Sequence, residues 1–367
     1  MVRSFFGSLV AVVLIFLTAC DDPAPIKIGF IGGLTGRFSV IGEAARNGVQ
    51  LAVAEINKAG GINGREVELL VRDDASSPEV AVEAIRDLHS AGAVAIVGPN
   101  ISSIAAAMLS TLNELRIPAV SPTTASLSLA GIDDYLFRIN ATTRDYARAY
   151  ARYLFEGGQR TIAVTLDANN PVFTESWSQE FTSQFEELGG TIALKIFFDA
   201  GSATGYSDVA DRLLATSPDG IVLVANSVDT AQLAQQIRKR EEDIPLAASE
   251  WASSERMVFL GGNAVEGIVL AQSYIRNDPS ERYQRFVGQY RERFQQDPSF
   301  ASISGHDGAT MLFAALAENV EGPELKQALL RLRDIQGLQQ RLWFDEFGDG
   351  WRRVIFYTIK NGRFVQQ

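Results

Sequence analysis

The sequence predicts an α/β fold of two lobes, each a parallel sheet with helices on both faces, joined by three chain crossings. Three observations predict it. Short apolar runs rich in Ile, Val and Ala alternate with stretches of helical spacing along nearly the whole chain, the pattern of parallel strands linked by crossover helices. The 367 residues, 46% hydrophobic and 21% charged, suffice for two cores of ordinary domain size. Several apolar runs stop at Gly, Pro, Ser or Thr and hand over to a helix, which puts polar groups at the carboxyl ends of strands, where ligands of such sheets bind.

Each element follows from local pattern. Arg3 precedes an apolar run from Phe5 to Ala19, shorter than the ~20 residues of a spanning helix and matched to a secretory signal over residues 1–19. A strand is expected over 26–33. A helix begins at Ile41, with Ala44, Ala45, Gly48, Leu51, Ala52 and Ile56 at helical spacing, and closes at Gly60-Gly61. Asn63-Gly64 turns the chain into a strand over 67–71, and Pro78 opens a helix running to about Ala91. A strand over 93–97 ends at Gly98-Pro99 and leads through Asn100-Ile101-Ser102-Ser103 into a small-residue helix; residues 117–124 repeat the design.

A short strand within 133–140 carries the first crossing. Tyr146, Ala149, Tyr150, Tyr153 and Leu154 then line a helix capped at Gly157-Gly158. The rhythm continues through 161–166, a helix around 177–188, then 192–197, 206–215, 221–225 and a helix over 230–240. From Ala271 the chain returns to the first lobe through helices over 280–296, 307–319 and 324–333. Leu342-Trp343-Phe344-Asp345 with residues 354–359 reads as a terminal hairpin on the second lobe. These boundaries give one lobe of residues 26–140 with 272–341 and another of 141–271 with 342–367.

Composition excludes several chemistries. Two histidines, His89 and His306, and one cysteine, Cys20, cannot build the usual zinc or thiolate sites, and no intrachain disulfide is possible. A net charge of −11 argues against nucleic acid or an anionic membrane surface as partner. No metal, cofactor or catalytic nucleophile is expected, so the partner is a small molecule and the chain is not an enzyme. The glycine-rich stretch Gly29-Phe30-Ile31-Gly32-Gly33-Leu34-Thr35-Gly36 invites a dinucleotide reading. It lacks the G-x-G-x-x-G spacing, and Asp73 lies well beyond the ~20 residues at which a ribose-binding acid is expected.

The candidate site sits at two neighbouring strand ends. Free amides in the first turn of a helix attract a carboxylate, and Ser102 and Ser103 stand where such a guest would rest, with Thr123 and Thr124 at the next strand end. Plain helix capping explains the serines equally well, and an ordinary Ser-Pro turn explains the threonines. Glu250, after an apolar segment and before Trp251, is either a solvated loop carboxylate or the partner of a cation. Phe173 and Trp251 read as packing residues or cleft walls. Ile41 and Phe38 are placed to lean on a guest's side chain, and Asp307 reads as a helix cap.

Specific stretches then carry a resemblance. Ile28-Gly29-Phe30, Leu34-Thr35-Gly36, Gly48-Val49-Gln50-Leu51-Ala52 and residues 55–64 resemble the leucine/isoleucine/valine-type periplasmic binding proteins that feed ABC importers. So do Asp73-Asp74, Val97-Gly98-Pro99, Ser121-Pro122 and Phe344-Asp345 with Gly348-Asp349. The resemblance implies two Rossmann-like lobes on a three-strand hinge that close over an amino acid or a small relative of one. It places the carboxylate-binding serine on Ser102 and the residues after the Ser/Thr-Pro pair on Thr123, Thr124 and Ala125. Family members often carry threonine where Ala125 stands, leaving Thr124 or Ser126 to supply a hydroxyl. The aromatic residue over the ligand falls on Phe173, beside a small insertion at Asn169-Asn170-Pro171. Asn226 replaces a frequent tyrosine, and the acid that grips an ammonium falls on Glu250.

Leu17-Thr18-Ala19-Cys20 resembles the lipobox of bacterial lipoproteins, which makes Cys20 a lipid-bearing first residue and residues 20–25 a tether. The other reading is a secreted protein cut near Ala19 with an idle cysteine. Asp21-Asp22 resembles an inner-membrane retention signal. The expectation is a monomeric solute receptor, lipid-anchored at the extracytoplasmic face of the cytoplasmic membrane, that delivers its ligand to an ABC permease. A lipid-anchored interaction or sensor protein on the same fold is the alternative.

Overall fold

A computed structural model of the chain describes residues 23–200 and 205–367; the expected signal segment and the lipobox-like stretch at Cys20 lie outside them. The first sheet is parallel throughout, in the order β2-β1-β3-β4-β5. Its strands are β1 (Ile26–Gly32), β2 (Val67–Asp73), β3 (Ala95–Val97), β4 (Ala119–Ser121) and β5 (Leu136–Arg138), linked by helices α1 (Ser39–Lys58), α2 (Pro78–Ser90) and α3 (Ser102–Leu115). Burial of β1, β3 and β4 matches their mainly apolar sequences, interrupted in β1 only at the half-buried Lys27, as sheets covered on both faces require.

The second sheet has the order β14-β13-β10-β9-β8-β6-β7. It contains β6 (Thr161–Asp167), β7 (Thr191–Phe198), β8 (Gly220–Val224), β9 (Leu246–Ala248) and β10 (Val269–Gln272), with helices α4 (Thr143–Glu156), α5 (Pro171–Glu187), α6 (Tyr206–Leu214), α7 (Ser227–Arg238) and α8 (Glu255–Gly261). A capping box between Thr142 and Asp145 starts α4 where the chain leaves the first sheet. The chain then returns through α9 (Glu281–Phe294), α10 (Phe300–Leu316) and α11 (Gly322–Arg331) to pack on the first lobe.

Several parts differ from expectation: α5, expected around 177–188, already starts at Pro171, and α8 has no counterpart in the sequence reading. α10 begins at Phe300 and not at Asp307, because Ser299 and Ser302 form its N-terminal capping box. The small residues before Asp307 hid it: a helix buried on every side has no amphipathic stripe. α1 and α10 meet backbone to backbone, so that a Cβ on Gly48 would lie 1.9 Å from the Ser302 carbonyl oxygen and one on Gly305 2.4 Å from that of Ala45. Asp307 is consequently mid-helix and buried. It is no cap; Arg352 Nη2 donates to it at 2.8 Å and the Leu338 amide at 2.8 Å.

The terminal hairpin is also displaced. Leu342 lies in β12 (Arg341–Leu342), paired with β11 (Ile335–Gln336). The hairpin joins β13 (Ile355–Lys360) to β14 (Arg363–Gln366) through Asn361-Gly362, both at positive φ, the turn chemistry of a two-residue hairpin. β13 runs antiparallel to β10. Residues 343–354 form the crossing instead: Phe344 packs edge-on against Phe137, and the Arg138 amide donates to the Gly348 carbonyl at 2.9 Å. Finally, α7 starts at Ser227, three residues before the expected Thr230, because Asn226 caps it.

Candidate functional site

Loops leaving the strand C-termini of the two sheets meet, and the residues between them are buried. Gly98 sets the geometry on one side. Its φ is +125°, and a Cβ there would lie 2.1 Å from the Ile31 carbonyl oxygen, so only glycine lets the chain leave β3 at this angle. The turn carries Asn100, Ile101 and Ser102 to the cavity wall, where Thr123, Ala125, Asn140, Ile41 and Phe300 join them. The second lobe contributes Asn170, Phe173, Glu250 and Trp251.

Ser102 Oγ accepts from the amides of Ala125 and Ser126, each at 3.4 Å, which leaves its O–H as a donor on the wall. Thr123 Oγ1 donates to the Asn100 carbonyl at 2.7 Å and accepts from Asn100 Nδ2 at 3.4 Å. These two strand ends therefore brace each other. Phe173 and Phe38 each pack on Trp251 at 5.5 Å between ring centroids, forming an aromatic wall that reaches across both lobes.

Glu250 is the titratable group of this cavity. Its Oε2 accepts from Trp177 Nε1 at 3.2 Å, while Oε1 has no partner, and the residue is only 6% exposed. Burial pushes its pKa up to about 8. A buried carboxyl with an unused oxygen is costly unless something supplies a donor or a positive charge.

Three expected residues sit beside the cavity, outside its lining. Thr124 Oγ1 donates to Ser121 Oγ at 2.6 Å, and Ser121 Oγ donates to the Pro99 carbonyl at 2.6 Å, so Thr124 stiffens the loop from behind. Ser103 joins the lobes: its amide and hydroxyl donate to Asn170 Oδ1 at 3.1 and 3.0 Å. Asn226 spends its side chain on α7, accepting from the amides of Val228 and Asp229 at 2.9 and 3.1 Å and donating to Asp229 Oδ2 at 2.5 Å. It lines the neighbouring mouth of the cleft with Arg37, Phe38 and Trp251.

Sequence reasoning missed Asn100, Asn140, Asn170, Phe300 and Arg37. Asn170 was legible in part, since an Asn before Pro171 marks a helix start. The role of Arg37 was not, because it depends on carboxylates far along the chain. Arg37 Nη2 lies 2.7 Å from Asp229 Oδ2 and 3.2 Å from Asp167 Oδ1, with Nη1 3.9 Å from Asp199. Together with the Ser103–Asn170 bonds and the bond from Ser126 Oγ to the Val172 carbonyl at 2.7 Å, it fastens the lobes around the cavity.

Comparison with known proteins agrees with this arrangement. The sequence model of the family described as "Periplasmic binding protein" matches residues 25–363. The leucine-, isoleucine-, valine-, threonine- and alanine-binding protein of Pseudomonas aeruginosa is 22% identical over 329 residues, 88% of this chain and 87% of its own length. The branched-chain amino acid transporter substrate-binding protein LivJ of Streptococcus pneumoniae, solved with isoleucine, superposes with a TM-score of 0.86 at 23% identity, covering 94% of this chain and 100% of that one. A solute-binding protein of an ABC transporter from R. palustris, solved with benzoate, superposes with a TM-score of 0.84 at 18% identity, covering 93% and 95%.

Proposed function

The chain belongs to the periplasmic binding protein family, whose members bind substrates and are not enzymes, and from that premise we propose that it is an amino-acid receptor whose two lobes grip opposite ends of a zwitterion. The observation that carries this reading is Glu250, a buried carboxyl with one unpartnered oxygen on a wall shared by both lobes. An ammonium supplies the donor and the charge that Oε1 lacks. On the facing wall the Ser102 hydroxyl receives the carboxylate, and the Thr123 hydroxyl and the Ala125 amide turn to it from their present acceptors, the Asn100 carbonyl and Ser102 Oγ. Ile41, Phe173, Trp251 and Phe300 border the place of an apolar side chain, which the lobes must part to admit, since the cavity between them measures only about 20 Å³.

Each charge-assisted hydrogen bond contributes about 1.5–3 kcal/mol. Three or four of them, less the cost of ordering, reach the ~8 kcal/mol of micromolar binding. Because the ligand touches both lobes, its binding free energy favours the closed arrangement. Delivery to an ABC permease follows from the family, and the lipobox at Cys20 supports an anchor on the outer face of the cytoplasmic membrane. A monomer suffices, since one chain supplies both walls.

The aromatic wall favours a second reading, an aromatic carboxylate such as the benzoate held by the R. palustris protein. Such a ligand has no ammonium for Glu250, which would then stay protonated and act as a donor. A thermal-shift screen separates the two, because a ligand of the native state raises the melting temperature by mass action. The proposal expects saturable stabilisation by leucine, isoleucine or valine. Stabilisation by benzoates alone selects the second reading. No response to any small solute would favour a sensor or interaction role.

A further inference from the structure

We infer that the crossing segment after β10 holds a second site, distinct from the cleft, that takes a small anion, either a carboxylate or an inorganic ion. Three buried donors at the end of β10 and just beyond it have no acceptor: Gln272 Nε2, the Tyr274 hydroxyl and Arg276 Nη2. Gln272 is 1% and Tyr274 2% exposed. Tyr274 and Arg276 line one cavity of about 700 Å³ with Tyr283 and Arg291 of α9, Phe259 of α8 and Phe364 of β14. The cavity thus lies between the lobes at a crossing.

The rest of Arg276 is fixed, which makes its free nitrogen informative. Nε donates to Gln272 Oε1 at 2.9 Å, Nη1 pairs with Glu255, and the guanidinium lies 3.5 Å above the centroid of the Phe364 ring. The Tyr274 carbonyl is also used, accepting from Tyr357 Oη at 3.2 Å, while its own hydroxyl is not. Buried N–H and O–H groups carry a desolvation cost until an acceptor arrives. The Gln272 and Arg276 nitrogens can only donate and the Tyr274 hydroxyl can do the same, so the missing partner that suits all three is an acceptor. On the same cavity Arg291 is paired with Asp297 and Glu255 with Arg276, which leaves Arg363 and the free Arg276 nitrogen to favour a negative one.

Tyr274→Phe tests this with little disturbance, since it removes the hydroxyl and keeps the ring in its core. Unfolding of the wild type, Tyr274→Phe and Arg276→Gln is followed in a zwitterionic buffer with acetate, phosphate or chloride added at constant ionic strength. The inference expects saturable stabilisation of the wild type by at least one of these ions, weakened roughly tenfold or more in each variant. Without added anion, Tyr274→Phe should be as stable as the wild type or more so, because an orphaned donor has been deleted. Equal anion effects in wild type and Tyr274→Phe overturn the inference. So does a fixed loss of stability in Tyr274→Phe with or without anion, which would mean that ordered water or the protein holds the hydroxyl. Which ion saturates distinguishes a carboxylate from an inorganic anion.

Discussion

Arg37 Nη2 of the first lobe stands 2.7 Å from Asp229 Oδ2 of the second, and the same nitrogen reaches Asp167 at 3.2 Å. Both carboxylates are almost wholly buried, whereas the arginine is 24% exposed. Asp229 is held from its own lobe as well, by the Tyr206 hydroxyl at 2.6 Å. An arginine from one lobe therefore neutralises acids that belong to the other, outside the proposed ligand cavity.

Arg37→Ala should weaken ligand binding roughly tenfold to a hundredfold without touching the ligand, chiefly through faster release, since it leaves buried carboxylates unpaired in the closed form. Stopped-flow fluorescence separates the rates. An unchanged dissociation rate would show that these ion pairs do not hold the lobes together.

Glu250 makes stability depend on pH. Its folded pKa of about 8 lies above the ordinary glutamate value, so the unfolded state ionises first as pH rises. Stability should be fullest below about pH 4.5, fall as pH rises from there through 8, and level off above. Melting curves of the ligand-free protein should show this fall, to which Asp74 and Asp134, both pushed by burial up to about 6, add below that pH, and Glu250→Gln should remove the part between about pH 6 and 8. An ammonium ligand favours ionised Glu250, so binding near pH 7 should release a proton and give a calorimetric enthalpy that varies with buffer.

Gly48→Ala should destabilise the first lobe by about 3 kcal/mol, because the new methyl group meets the Ser302 carbonyl of a packed helix. Urea unfolding measures this. A neutral effect would show that α1 and α10 can separate freely.

Arg352 ties the third crossing to the first lobe, donating through Nε to the Ile139 carbonyl at 2.9 Å and through Nη2 to Asp307 at 2.8 Å. Asp307→Asn and Arg352→Met should each cost about 3–5 kcal/mol by leaving one buried charge alone, and the double variant Asp307→Leu/Arg352→Met should recover much of that loss. Denaturant unfolding of all three gives the comparison.

Much of the fold is written in local pattern. The handover at Gly98-Pro99 and its counterpart at Ser121-Pro122 mark strand ends because Gly, Pro and hydroxyl residues stop an apolar run, and Asn63-Gly64 marks a turn for similar reasons. The start of α10 escaped because a helix buried all round, with Gly305 against Ala45, carries no periodic stripe. Asn361-Gly362 was a readable hairpin signal, outweighed by the aromatic cluster from Leu342 to Asp345 that forms the crossing. At the site, Ser102, Thr123, Ala125, Ile41, Phe173, Glu250 and Trp251 fall on one cavity. Thr124, Ser103 and Asn226 carry the right chemistry but spend it on neighbours. Sequence names the donors and acceptors; the fold decides which stay unspent, and pairs such as Arg37 with Asp229 become visible only when both sheets are in place.

Calorimetric titration with leucine, with 4-methylpentanoate, which lacks its ammonium, and with 3-methylbutylamine, which lacks its carboxylate, tests the two-walled grip most directly. The account predicts micromolar binding of leucine and a loss of at least a hundredfold for either truncated relative. Equal binding of 4-methylpentanoate and leucine would contradict it, since the acid of the second lobe would then have no part in holding the guest.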